Sequence, residues 1–439
     1  METNGLRLMA LLVCGAFPLT AGAETLLLRG ATVHTVSGPV YSPGQVLIEE
    51  GRIIAVGETV EAGDAGVVDL EGLHLFPGMI AAGTSLGLVE INAVRATRDT
   101  SEVGEYTPDV RSWVAVNPDS ELIPVARANG ITHAQPVPQG GIVTGQSGVI
   151  ALDGWTFEDM TILNPVALHV FWPGMALNTT PKEEYRDRSR WKSLEDQAKE
   201  RRKRLEELKD FFAEARAYEK AKRAAEARPG TEFKEVPAWE AVLPYGSGDL
   251  PLMVHADDRR EIEAALDWAE EVEYRIVLAG GRDAWRVADR LAKAEVPVVF
   301  EHVFTQPARA TDPYDAHFKA PRILQQAGVK VAFSNGLGGM AASKTRNLPY
   351  EAAQAMAFGL PREEALKGVT LYPAEILGLA ARLGSIEPGK EASLVVADGD
   401  ILDLRSRVTR MWIAGREVNL ENRHTRLYEK YKARPQPEL

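Results

Sequence analysis

The residues of this chain that can do chemistry stand at the ends of apolar runs. His169 lies at the end of Thr161–Val170, His255 ends Leu250–His255, and His302 ends Val296–His302. Asp257, Asp258 and Glu301 sit beside them in the chain. Three imidazoles and a water make a legitimate catalytic zinc set, and the metal would lower the pKa of that water towards about 7. Without a metal, Asp257 or Asp258 with Glu301 would supply an acid and a base. Side chains alternate in direction along a strand, so each imidazole faces either the inside of a sheet or the layer behind it. Single histidines in strands are most often structural. His133 has a smaller claim, and His34, His74, His317 and His424 fall in no pattern. No Gly-x-Ser-x-Gly elbow, phosphate loop or dinucleotide fingerprint stands out.

The elements that would position these residues alternate between strand and helix, which predicts a parallel sheet of βα units. Strands are expected at Met79–Ala82, Gly130–Pro136, Thr161–Val170, Leu250–His255, Arg275–Leu278, Val296–His302 and Val329–Phe333, with one more between residues 86 and 116. Helices are expected at Glu261–Val272, Asp283–Ala294 and Tyr350–Phe358. Eight such units close as a (β/α)8 TIM-like barrel, whose chemistry sits at the C-terminal ends of the strands. Short strands recur in residues 24–75 and 385–420, and both stretches together predict one small β-sandwich built from the two ends of the chain. The barrel takes residues 76–384, and residues 421–439 form a C-terminal tail. A charged insertion at 182–228 carries Trp191, Leu194, Ala198, Leu205, Leu208, Phe212 and Ala215 near helical spacing. It reads as a solvated amphipathic helix with one buried stripe, or else as a lid or partner-binding arm.

Composition narrows the class. The 439-residue chain is 45% hydrophobic and 26% charged, as in an ordinary globular protein. Its net charge of −12 argues against nucleic acid as the main partner. Residues 1–23 read as a secretory signal peptide, with Arg7 before an apolar run and Ala21-Gly22-Ala23 as the cleavage pattern. The run is shorter than the ~20 residues a membrane span needs. The expected address is the periplasm or outside the cell. The single cysteine, Cys14, lies in this leader, so the mature chain would have no thiol chemistry.

The stretch Phe76-Pro77-Gly78-Met79-Ile80-Ala81-Ala82-Gly83-Thr84-Ser85 resembles the strand that opens the barrel of metal-dependent amidohydrolases, Pro-Gly-x-Ile-Asp-x-His-x-His. Asn347–Ala353, Ala365–Ala374 and Leu383–Ala392 resemble the imidazolonepropionase-like members, as does Gly140-Gly141-Ile142-Val143-Thr144-Gly145-Gln146-Ser147. A Gly-rich loop of that kind brings backbone amides, and here Gln146, close to a ligand, or simply makes a tight turn. The resemblance covers roughly residues 25 to 420 and implies the barrel-plus-sandwich fold.

It also implies a set of metal ligands, and here the chain departs from it. The two His positions of the first strand hold Gly83 and Ser85, the sixth-strand position in Leu278–Gly281 has no His, and Asn335 replaces the eighth-strand Asp. The fifth-strand His survives as His255. The resemblance therefore implies a formal hydrolase of C–N bonds, non-peptide or dipeptide-like, with a degenerate site. The expectation is a non-catalytic or partner subunit without a cofactor. The alternative is an active enzyme with one divalent metal, zinc, at a site rebuilt around His169, His255 and His302. Expected partners are a small-molecule or peptide-like ligand, an active amidohydrolase relative, or a second copy of the chain.

Overall fold

A computed structural model describes residues 25–228, 230 and 232–435; the expected leader, with Cys14, lies outside them. The first strands are β1 (Leu26–His34), β2 (Val40–Glu49), β3 (Arg52–Gly57), β4 (Gly66–Asp69) and β5 (His74–Pro77). Then follow β6 (Met79–Thr84), β7 (Ile131–Pro136), β8 (Val143–Ala151), β9 (Thr161–Phe171), β10 (Leu252–Ala256), β11 (Ile276–Gly280), β12 (Val298–Phe300) and β13 (Val331–Phe333). The last are β14 (Leu394–Ala397), β15 (Val408–Ile413) and β16 (Arg416–Glu417).

Both ends of the chain build one sheet in the order β16-β15-β14-β5-β1-β2-β3, with β4 on β1. Its seam is the antiparallel pair β14–β5, where Leu394 faces Pro77 and Ala397 faces His74. Leu28, Val33, Val46, Ile53, Leu75, Leu394 and Trp412 fill its core.

The second sheet runs in the order β13-β12-β11-β10-β9-β8-β7-β6. Its two edges approach each other, with Ser334 Oγ donating to Gly83 O at 2.7 Å. The strand expected between residues 86 and 116 does not form; that stretch is loop with short 3-10 turns. The missing member is β8, in the segment read from sequence as a Gly-rich loop. It pairs antiparallel with both β7 and β9, so the sheet is not wholly parallel. Every residue of β8 is buried, and its polar composition hides that from a hydrophobic pattern. His133 accordingly lies in the second barrel strand, not the third.

The barrel interior follows from alternation along the strands. Ile80 and Ala82, Val149, Ala167, Met253, Val277 and Ala279, Val299 and Ala332 pack together inside. Ala374, Ile376, Leu377, Leu379 and Leu383 close the same cluster.

The insertion contains one helix of 33 residues, Leu194–Glu226, whose buried residues are Leu208, Phe212 and Ala215. Ser193 caps it by accepting from the Asp196 amide. Phe212 packs edge-on against Trp268 at 5.0 Å and Tyr274 at 5.2 Å, which joins it to the barrel layer. No helix among the described residues is long and apolar enough to cross a membrane.

Candidate functional site at the barrel mouth

One step of two residues beyond the apolar interior brings each strand to a polar side chain. Val149 is followed in the mouth direction by Ser147, Ala167 by His169, Met253 by His255, Val299 by Glu301, and Ala332 by Ser334. All of these except Glu301, together with Gln135, form a hydrogen-bonded belt inside the mouth. Gly83 N donates to Gln135 Oε1 at 3.1 Å, and Gln135 Nε2 donates to Ser147 Oγ at 2.9 Å. Ser147 Oγ meets His169 Nε2 at 2.7 Å, and His169 Nδ1 meets His255 Nε2 at 2.9 Å. One proton arrangement satisfies the whole run: Ser147 donates to His169, and His169 donates to His255. Phe171 stacks on the His255 ring at 4.1 Å.

Burial holds both imidazoles neutral. It pushes His255 down to about 3 and His169 well below the ordinary histidine value, with the neighbouring His255 adding to the effect on His169. Glu301 moves the other way: burial first, then the negative charge of Asp257, raise its carboxyl to about 8. Its Oε1 is sealed from solvent and has no hydrogen-bond partner. Burial also pushes Asp257 up, but the His302 hydrogen bond and charge, with the Arg282 amide, leave it below the ordinary carboxylate value.

His302 is not in this belt. The strand expected over Val296–His302 is only Val298–Phe300, so Glu301 and His302 lie just past its end, and His302 turns away from Glu301. Its Nε2 bonds Asp257 Oδ1 at 2.6 Å, and its ring lies 6.1 Å from that of His317. The structure thus brings His169 and His255 together and sets His302 apart. Among the described residues, no three His, Cys, Asp or Glu side chains are grouped so that they could hold a metal ion.

The positions where the resemblance implies ligands are committed to structure. Gly83 has φ +67°, a left-handed conformation that favours glycine, and both its amide and its carbonyl are in use. Ser85 Oγ accepts from Gln139 Nε2 at 3.1 Å and from Gly338 N at 3.2 Å, joining two mouth loops. Gly280 ends β11; a Cβ there would lie 2.8 Å from Asp257 Oδ1. Asn335 points outward and donates to Glu351 Oε1 at 2.7 Å. Gln146 does not line the mouth: its amide donates to Pro108 O at 3.1 Å and Ala241 O at 3.3 Å. Asp258 caps the helix Arg259–Val272 and pairs with Arg309 at 3.2 Å. The donor set of a divalent metal is therefore not present in these side chains. The sequence reading missed Gln135, Ser147 and Ser334. Their signal was the two-residue step from apolar interior positions, legible only once β8 is placed.

Comparison with known proteins agrees with this architecture. The model of the amidohydrolase family matches residues 244–419. The crystal structure of an amidohydrolase from Thermotoga maritima MSB8 is similar at TM-score 0.77 and 30% identity, over 90% of this chain and 99% of that one. Amidohydrolase tasK of Hapsidospora irregularis is 26% identical over 90% of this chain, which spans 43% of the length of that relative. Over 38 residues, 9% of each chain, the imidazolonepropionase of Erwinia tasmaniensis is 60% identical.

Proposed function

The chain belongs to the amidohydrolase family, and from that premise we propose that it is a secreted member which binds a small-molecule or peptide-like ligand in its barrel mouth without hydrolysing it. Its formal class is hydrolase of C–N bonds, and its role is that of a partner to an active relative. The observation that carries this reading is the mouth itself. His169 and His255 are bonded to each other, and Gly83, Ser85 and Asn335 occupy the places of metal ligands. His169, a neutral imidazole with both ring nitrogens hydrogen-bonded within the protein, has no lone pair directed at an ion.

Metal analysis of protein purified without chelator tests it. We expect far less than one equivalent of zinc, manganese or iron, and an unchanged melting temperature after EDTA treatment. About one equivalent of metal, lost in His255→Ala, would sink the proposal and favour the site rebuilt around His169, His255 and His302. Turnover of dipeptides or cyclic amides by metal-free protein would sink it too, and would move the chemistry to Glu301 and Asp257. The same sample serves for secretion, which requires Glu24 as the N-terminal residue of periplasmic or exported protein.

A further inference from the structure

Two uncovered features of opposite charge lie on one side of the molecule. The first is the ten-residue helix Arg423–Lys432, none of whose residues is buried. Leu427, Tyr428 and Tyr431 share one of its faces, at three- and four-residue spacing, and are 46%, 64% and 62% exposed. Lys430 and Lys432 lie over the Tyr431 and Tyr428 rings at 5.8 and 5.5 Å. Arg423, Arg426, Lys430 and Lys432 against Glu429 leave the helix at +3 in a chain of −12. The second feature is a groove of about 520 Å³ in the loops after β6, with Leu88, Val110, Val114 and Ala115 as its apolar lining. Asp99, Glu102 and Asp109 line it against a single cation, Arg111, and among the described residues no ion pair engages these three carboxylates. A hollow of about 350 Å³ continues it past Leu88, Asp99 and Ala115, and adds one charge of each sign, Glu90 and Arg98. From this complementarity we infer that the groove of one copy receives the Leu427–Tyr431 face of the helix of a second copy.

Three observations carry the inference. First, the signs match. Unpaired carboxylates around an apolar floor suit a partner whose cations flank an apolar stripe. A helix laid by its apolar face into a groove is a recurring mode of recognition, and tyrosine is enriched in such contacts. Secondly, the helix lacks a cover. Ten residues fall short of the ~12–15 at which an isolated helix holds in water. The Asn422 capping box and the Arg426–Glu121 pair hold only its first turns. Thirdly, its placement lets the contact close. Arg426 bonds Glu121 at 2.8 Å, the adjacent Ser120 donates to Glu90 Oε2 at 2.6 Å, and Glu90 borders the hollow. The root of the helix and the groove therefore share one side. A two-fold axis there lets each copy give its helix and receive the other's, which ends the assembly at two and doubles the buried area. Within one copy the helix leaves that groove open. An anionic lipid surface is the weaker occupant. Taking the +3 of the helix from −12 leaves the rest of the chain at −15, which such a surface repels.

The inference stands apart from the non-catalytic reading above, since no residue of the belt lines the groove. The experiment is sedimentation velocity of the full chain over a concentration series, at low and at high salt. A dimer is expected, and it should weaken as salt rises. Tyr428→Asp, at an exposed position, should weaken it roughly tenfold or more and leave the melting temperature unchanged. Lys430→Glu with Lys432→Glu should give a monomer, and so should Asp99→Lys with Asp109→Lys. An equimolar mixture of these two charge-reversed proteins should restore the dimer, because both of its contacts then join opposite signs. If a charge-reversed protein fails to fold, Tyr431→Asp alone must still weaken the wild-type dimer by a similar factor. A monomer at every concentration, a dimer indifferent to these substitutions, or no dimer in the mixture of folded variants each overturns the inference. So does a monomer that binds phosphatidylglycerol vesicles through Tyr428 and Tyr431, which would assign the helix to a lipid surface.

Discussion

His169 is the residue on which the mouth depends most. It is fully buried and joins Ser147 to His255 through both ring nitrogens. His169→Ala would leave a cavity and two unpartnered polar groups, so a loss of roughly 3 kcal/mol is expected, seen as a lower denaturant midpoint. The titrating groups give stability a pH dependence of two opposite signs. An unfolded histidine takes up a proton near 6.5 but folded His255 only near 3, so the stability present above pH 6.5 is lost as pH falls towards 3. Glu351 behaves in the reverse sense. Burial raises it to about 8 from an ordinary 4.5, outweighing the Asn335 hydrogen bond, so stability present below pH 4.5 is lost as pH rises to about 8. Glu351→Gln cannot ionise and keeps a carbonyl oxygen for Asn335. Its stability relative to wild type should therefore climb between pH 4.5 and 8 in chemical denaturation series.

At the scale of elements, β8 and the long insertion helix shape the mouth and its flank. β8 places Ser147 against His169 because it runs antiparallel between β7 and β9. The amphipathic stripe of Leu194–Glu226 was legible in sequence, since Leu208, Phe212 and Ala215 recur at helical spacing and are the buried residues. What they pack against was not. Phe212 reaches Trp268 and Tyr274, residues more than fifty positions away in the chain. This contact favours the solvated helix with one buried stripe over a free arm. Phe212→Ala should lower stability by roughly 3 to 4 kcal/mol, measured by urea unfolding, whereas substitutions on the charged face should change it by less than about 0.5 kcal/mol.

For the whole molecule, the two ends of the chain meet at one seam, the pairing of β14 with β5. Removing everything from Leu394 onward would take away a central strand of that sheet and uncover Leu75 and Phe76, both fully buried. Such a truncation should give aggregated protein with no cooperative thermal transition. Truncation after Asn422 removes the exposed helix Arg423–Lys432 and its ion pair from Arg426 to Glu121 at 2.8 Å, and should leave the fold cooperative.

Residue order alone determined the family frame, the sheet built from both ends, and that Gly83, Ser85 and Asn335 stand where the resemblance implies metal ligands. These are properties of residue type at a position, and Gly83 has no side-chain ligand atom in any fold. Tertiary structure decided which of the remaining polar groups meet. His302 and Glu301 are neighbours in sequence just past the end of β12, yet one bonds Asp257 and the other is left unpartnered. His169 and His255 are 86 positions apart, and their 2.9 Å contact exists because β9 and β10 pair in parallel. Spacing along a chain carries no information about such a contact. It comes from strand register, which is set by the packing of the apolar interior beneath it.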